Sequence, residues 1–281
     1  MPNGKGKVFL MTTFATKFDG TREVYNEEKI KSSATRVGVP QAMQDEMLDA
    51  IRSRLFDGIS TSEIYSLIQD YLHSSSRPYL AMKYNLKAAL AELGPSGYPF
   101  EKYVALLLAE LGYETVINQI IPGACVTHEV DVLATKGGIT YYIEAKFHKS
   151  PNQRTDVRVA LYIKARYDDL AAGKTHENTK PWIVTNTRFS TDAIKYAECQ
   201  GIKLTSWGYP KSEGIMDLIE KTRLHPLTMV EGLTKDDKIR LMTAGVVTAR
   251  QLLDPKYRDL LPSHFVKNEL PLVESLCRDV S

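Results

Sequence analysis

Four backbone breakers in a row, Gly94-Pro95-Ser96-Gly97, split this chain into stretches of different period, and no other feature constrains the fold more. Before the break the pattern is mostly helical. Two short strand-like runs, residues 8–13 and 22–25, flank Asp19-Gly20, a tight-turn signal. Helical patterns follow at 27–37, 41–54, 61–74 and 79–93. In the third of these Thr61 is the expected cap, and Ile64, Leu67, Ile68, Tyr71 and Leu72 form an apolar stripe. After the break the period changes. A helix at 100–111 precedes strand-like runs at 114–121, 128–134 and 140–147, the last two joined through Lys136-Gly137-Gly138 as a hairpin. Helix 155–171, strand 182–187, helix 191–199 and strand 203–206 then complete the pattern of an α/β/α sandwich around a mixed sheet. His225-Pro226 marks a second break, and the remainder reads as a small all-α segment. The expected architecture is an α/β multidomain chain with modules at 1–94, 95–225 and 226–281.

Length and composition fit that division. The 281 residues are 43% hydrophobic and 25% charged, enough to bury more than one core. The formal net charge is only +2, so a surface for polyanions has to be local. No stretch approaches the ~20 apolar residues of a membrane span, and no membrane partner is expected. The start, Met1-Pro2-Asn3-Gly4-Lys5-Gly6, lacks the apolar core of a signal peptide. Cys125, Cys199 and Cys277 are too few and too scattered for a disulfide framework or a zinc site. A reducing, cytoplasmic setting is the simplest expectation.

The strongest chemical signal lies on the hairpin. Strand side chains alternate between faces, so Glu144 and Lys146 share one face while Ile143, Ala145 and Phe147 take the other. Pairing through Gly137-Gly138 brings Asp131 beside Glu144. Two carboxylates side by side repel each other unless a cation lies between them. Hard oxygen donors with room for water suit Mg²⁺. Such an ion polarises a phosphodiester and acidifies an attacking water, and an ammonium such as that of Lys146 stabilises the charge that develops. The carbonyl of Ala145 is a candidate further ligand.

These residues resemble the PD-(D/E)XK nuclease superfamily, and residues 97–208 resemble its Mrr-like restriction endonuclease branch. Asp131 matches the motif aspartate and Glu144-Ala145-Lys146 the E-x-K tripeptide, with Val130 where the superfamily's name has proline. Glu101, in Gly97-Tyr98-Pro99-Phe100-Glu101, matches the acid that the family's first helix points into the site. The resemblance implies Mg²⁺-dependent hydrolysis of DNA, with Asp131, Glu144, Lys146 and Glu101 catalytic and Asp131, Glu144 and Ala145 on the metal. On the helix near 155, Gln153 and Lys164 are candidates for support. Glu129 reads as an exposed strand residue, and His128 and His148 as structural or DNA-facing.

The first module carries a second signal. Lys17, Glu23, Asn26 and Lys29 surround a hairpin that leads into a helix; lysines suit phosphates, and polar acceptors suit a base or ribose. No glycine-rich phosphate loop is present, which points to nucleotide binding without hydrolysis. The segment resembles the ATP-cone, a regulatory nucleotide-binding domain, over about residues 5–92. On that resemblance Lys17, Glu23, Asn26, Lys29 and Thr61 fall at nucleotide-contacting positions, with Tyr84 and Lys87 as accessories. Phe18 stands where the family commonly has a basic residue, and Tyr65 where it has histidine. ATP or dATP is the implied regulatory ligand.

At the C-terminus, residues 235–244, Gly245-Val246-Val247-Thr248 and residues 249–253 resemble a helix–hairpin–helix, which offers backbone N–H groups to a DNA phosphate. The hairpin lacks a glycine pair, and a packing module fits the same pattern. Cutting both strands with one site per chain favours a homodimer. The competing reading is a catalytically silent, nucleotide-responsive DNA-binding regulator.

Overall fold

The structure, a computed structural model, describes residues 13–17, 19–94 and 96–278. All but Thr13 of the expected strand at 8–13, and the departure at Phe18, lie outside those residues, as does Pro95. The chain divides into two compact units, Met1–Tyr84 and Asn85–Val280.

In the first unit, strands β1 (Phe14–Thr16) and β2 (Arg22–Val24) form an antiparallel hairpin. Gly20 takes φ +80° in the turn, a conformation that costs glycine little. Helices α1 (Glu27–Arg36), α2 (Gln41–Arg52), α3 (Thr61–Ser74) and α4 (Tyr79–Tyr84) follow. Their core is Ile30, Ala34, Met47, Leu48, Ile51, Ile64, Ile68, Leu72 and Leu80. The cap of α3 is Ser60, one residue before the expected Thr61. Its hydroxyl accepts from the Glu63 N–H while the Glu63 carboxylate accepts from the Ser60 N–H.

The expected helix at 79–93 is two helices, α4 and α5 (Leu86–Ala91), separated at Asn85. The division between units falls there, ahead of Gly94. The reason is that α5 is tied into the second unit by two buried bonds. Thr228 donates its hydroxyl to the Ala89 carbonyl at 2.5 Å, and Asn186 donates to the Leu90 carbonyl at 3.5 Å.

The second unit continues with α6 (Tyr98–Glu110), β3 (Glu114–Pro122), β4 (Thr127–Lys136), β5 (Ile139–Lys146), β6 (Arg154–Thr155), α7 (Val157–Gly173), β7 (Thr179–Thr185), β8 (Arg188–Phe189), α8 (Thr191–Gln200), β9 (Lys203–Thr205) and α9 (Ile215–Thr222). The five-stranded sheet has the order β3-β4-β5-β7-β9. Its first three strands are antiparallel, and β5, β7 and β9 are parallel, so the sheet is mixed as expected. Helices cover both faces. Ile183, on the same face as its pairing partner Glu144, packs with Ala160 and Ile163 of α7 and with Ala193 and Ala197 of α8. On the other face the Phe147 ring lies 5.8 Å from that of Phe100 in α6. No helix among the described residues is long and apolar enough to cross a membrane.

Helices α10 (Lys235–Thr243), α11 (Ser263–Asn268) and α12 (Leu270–Arg278) belong to this same unit. The Tyr103 hydroxyl in α6 donates to the Leu224 carbonyl at 2.6 Å, and Arg250 pairs with Glu110 at 2.5 Å. The expected second helix at 249–253 is one 3-10 turn, Arg250–Leu253. Moreover, the Gln251 side-chain oxygen accepts from the Val247 and Thr248 N–H groups at 2.9 and 3.0 Å. The loop donors that a helix–hairpin–helix would offer to phosphate are therefore already engaged.

Candidate active site

The site grows from one short turn. Gly137 and Gly138 take φ +59° and +76° between β4 and β5, and the ladder then runs from Lys136↔Ile139 to Val132↔Ile143. One residue further, Asp131 comes opposite Glu144. The Asp131 Oδ2 accepts from the Ala145 N–H at 2.8 Å, which fixes the carboxylate against β5. On the other side, the β3–β4 ladder skips the pair Asn118 and Asp131, and Asn118 sits at φ +53°. Val130 and Leu133 fall in one core cluster, although strict alternation would separate residues three apart. The pleat therefore slips beside Asp131, freeing it from the regular ladder.

Glu101 arrives from the first turn of α6, where an acid favours the positive end of the helix. Burial pushes its carboxyl up to about 7, reinforced by the charges of Asp131, Glu129 and Glu144. Burial likewise pushes Asp131 up to about 6, with Glu144 next; the Ala145 N–H and Arg166 oppose the rise. Glu101 lies in the field of Asp131 and Glu144, and Asp131 in that of Glu144, although among the described residues no three His, Cys, Asp or Glu side chains form a group close enough to hold a metal. Glu129 is exposed, as expected, and adds to the field.

Arg166, which sequence reasoning missed, joins these acids. It reaches from α7 and donates to Glu144 Oε2 at 2.7 Å and to the Glu129 carbonyl at 3.2 Å. The side chains of the pair are only 12% and 16% exposed. The residues expected to support the site from this region do other work. Lys164 pairs with Asp168 at 2.6 Å, one turn along α7, because that side of the helix faces outward. Gln153 acts on His148 instead, favouring its charged form. A signal for Arg166 exists in the sequence: it sits three residues after the buried Ile163 and four before the buried Leu170, a charge within the apolar stripe.

Lys146 follows Glu144 on the same face, one pleat onward. It is half-buried and forms no ion pair or hydrogen bond among the described residues. Burial lowers the basicity of nearby His148, and the Lys146 charge adds to that effect. Neither flanking histidine is placed for proton transfer here. His148 Nε2 lies 2.9 Å from the Thr155 hydroxyl, and His128 Nε2 lies 2.8 Å from Asp169.

The burial of Asp131 yields a stability prediction. A carboxyl raised from 3.8 to about 6 binds its proton more tightly folded than unfolded. Its contribution is complete below 3.8 and is lost as pH rises through about 6. In EDTA, Asp131→Asn is therefore expected to melt higher than the parent at a pH of about 8, and the gap should close as pH falls toward about 4.5. A gap independent of pH in thermal unfolding would remove burial repulsion as the cause.

In the first unit, a small cavity of about 120 Å³ is lined by Glu23, Asn26, Lys29 and Thr61. Glu23 lies between Lys29 at 2.9 Å and Lys17 at 3.0 Å. Those two ammonium groups hold its carboxyl below the usual range, Lys29 most strongly. Asn26 also caps α1 by accepting from the Glu28 N–H at 2.9 Å. The Tyr25 hydroxyl on the cavity wall is buried without a hydrogen-bond partner among the described residues. Tyr84 and Lys87 are not among the residues that line this cavity. The Tyr84 ring lies 5.8 Å from that of Tyr65, tilted by 40°, and Lys87 falls in the second unit because the chain divides at Asn85.

Comparison with known proteins supplies the relatives of this chain. The restriction endonuclease family model, Mrr catalytic domain, matches residues 94–207. An uncharacterised protein of Archaeoglobus fulgidus is 45% identical over 150 residues, which are 53% of this chain and 83% of that protein. The crystal structure of a protein of unknown function, AF1548, is 39% identical with a TM-score of 0.55, and the match covers 65% of this chain and 98% of that one. The restriction endonuclease MspJI, solved with an oligonucleotide, is 14% identical with a TM-score of 0.33, covering 66% of this chain and 44% of that one. The chain thus belongs to the family of the Archaeoglobus fulgidus protein, and its residues 94–207 are similar to the restriction endonuclease domain of the Mrr catalytic type.

Proposed function

We propose that this protein is a Mg²⁺-dependent endonuclease that hydrolyses DNA phosphodiesters. The observation that supports the reading is the Asp131 carboxylate held to the Ala145 N–H next to Glu144, with the unpaired amine of Lys146 on the same face as Glu144 and the charges of both acids acting on Glu101. The donor set suits a hard divalent cation. Burial and neighbouring acids disfavour the charged forms of Asp131 and Glu101, and Arg166 offsets only Glu144, so a further cation would relieve the site. Among the described residues no three His, Cys, Asp or Glu side chains close into a ready-made metal cage. Asp131 and Glu144 would hold the ion, with Glu101 and the Ala145 carbonyl as further donors. Mg²⁺ commonly takes one or two carboxylates and completes its shell with water and substrate phosphate. When bound, it would polarise the phosphodiester and lower the pKa of an attacking water.

The protein's own groups have separate tasks. The Ala145 N–H holds Asp131 in place. Arg166 neutralises Glu144 before the cation arrives and fixes its direction. Lys146 stabilises charge on the phosphoryl group or positions water. Cleavage of both strands takes two copies of the site, which a homodimer would provide.

The same reading makes the first unit an ATP-cone that binds ATP or dATP and modulates cleavage. Its support is the cavity that gathers Glu23, Asn26, Lys29 and Thr61, with Lys17 joined through Glu23. Supercoiled plasmid is the test substrate, in Mg²⁺ and in EDTA, with and without saturating ATP or dATP. Cleavage in Mg²⁺ alone supports the hydrolase, and DNA binding without cleavage in Mg²⁺ supports the silent regulator instead. Equal rates with and without nucleotide remove the regulatory part. Calorimetric titration should show ATP affinity falling at least about tenfold in Lys29→Ala, as expected for loss of one charge-assisted bond. Unchanged affinity would take Lys29 out of the site.

A further inference from the structure

A second feature of the larger unit has no part in the chemistry above. A cleft of about 500 Å³ is lined by Lys149, Lys235 and Lys238, with Ile239 and Met242 as apolar wall and Glu92 as its one acid. Lys149 and Lys235 are exposed and have no ion pair or hydrogen bond among the described residues. Lys238 is half-buried, and its amine donates to the Thr228 carbonyl at 2.8 Å. Among the lining residues three cations face one acid, with Glu231 also acting on Lys238, so the surplus charge rests on Lys149 and Lys235 and gives the cleft a local basic edge of the kind a polyanion needs.

The cleft is built onto the end of the strand that carries Glu144 and Lys146. Lys149 lies three residues past Lys146. Between them, His148 donates its N–H to Asn186 at 2.8 Å, and Asn186 returns a bond to the His148 carbonyl at 2.7 Å. Asn186 is 2% exposed and also donates to Leu90 in α5. The next residue back, Ala89, accepts from Thr228, whose own carbonyl holds Lys238. A continuous set of hydrogen bonds therefore fixes the C-terminal wall of the cleft relative to β5. The expected DNA contact of this region, the loop at 245–248, is closed by Gln251.

We propose that this cleft receives the sugar–phosphate backbone of DNA flanking the scissile phosphate, with Lys149 and Lys235 as the phosphate-binding groups. The C-terminal helical segment is then part of the DNA-binding face. The inference rests on the reading of residues 94–207 as a DNA nuclease. Lysines without a fixed partner give charge neutralisation without base selection, so the binding is independent of sequence and sensitive to salt.

The experiment measures binding of a labelled duplex by the full chain in EDTA, over a range of salt, for the parent and for Lys149→Ala/Lys235→Ala. Removing one phosphate-binding lysine lowers the slope of log Kd against log salt by about 1, so the double variant should lose about 2 and bind about tenfold more weakly at moderate salt. Lys149→Arg/Lys235→Arg keeps both charges and should restore the parent slope. Lys174→Ala/Lys195→Ala removes two lysines elsewhere on the unit and serves as the matched control. Parent-like binding by the first variant, or an equal loss in the control, overturns the proposal. Because the readout is binding, a parent that cannot cut DNA, together with a double-alanine variant that loses affinity in this way, supports the cleft while sinking the hydrolase.

Discussion

Lys146→Ala is expected to lower the single-turnover rate of Mg²⁺-dependent DNA cleavage by about a thousandfold, near the upper end for removal of one preorganised charge-stabilising group. That loss corresponds to ~4 kcal/mol of transition-state stabilisation. The folded protein should scarcely notice the change. The Lys146 amine is half-buried and makes no ion pair or hydrogen bond among the described residues, so no native bond is broken. A group held without a resting partner keeps its stabilisation for charge that appears during reaction, which is where differential binding raises kcat. Lys146→Arg should remain far below the parent, because a planar fork cannot place a compact charge at the same point. Plasmid nicking under single-turnover conditions, with thermal melting as a check on folding, measures both. A Lys146→Ala protein that cuts within a factor of about three of the parent ends the assignment of this lysine to catalysis.

The contrast between Lys146 and Arg166 illustrates what a linear sequence displays. Asp131, Glu144 and Lys146 lie within a single hairpin. The alternation of two strands and the Gly137-Gly138 turn suffice to place the two carboxylates opposite each other, and the ladder from Lys136↔Ile139 to Val132↔Ile143 has that register. Glu101 is suggested by its helix-start position, and its carboxyl does feel Asp131 and Glu144. Arg166 depends on how α7 is rotated over the sheet, which neighbouring residues do not reveal. Lys164 has the same charge type two positions away and points to Asp168 instead. The slipped pleat at Asp131 is equally hidden, since Asn118, the residue with φ +53°, is distant in sequence and ordinary in composition. The unit boundary differs from the expected one for a related reason. Gly94-Pro95-Ser96-Gly97 does interrupt the helical pattern, but α5 before it is bound to Thr228 and Asn186, far along the chain. Local breakers mark where helices stop, whereas long-range hydrogen bonds decide which unit a helix joins.

Arg166→Ala is expected to destabilise the metal-free second unit by about 3 kcal/mol, the lower end for breaking a buried ion pair by removing one partner. With Arg166 gone, Glu144 keeps its position beside Asp131 and loses the cation that offsets it. The Glu129 carbonyl loses a donor as well. Both tryptophans of the chain, Trp182 and Trp207, lie in the second unit, so urea unfolding followed by tryptophan fluorescence reports on that unit alone. The decisive comparison is between EDTA and saturating Mg²⁺. A divalent ion held by Asp131 and Glu144 would supply the positive charge that Arg166 supplied, and binding to the native state alone would add stability by mass action. The loss caused by Arg166→Ala should therefore shrink in Mg²⁺. Arg166→Lys, which keeps the charge without the two-pronged geometry, should fall between the parent and the alanine variant in EDTA. A destabilisation of the same size with and without Mg²⁺ would mean that the ion does not act on Glu144, and the metal would have to be sought elsewhere.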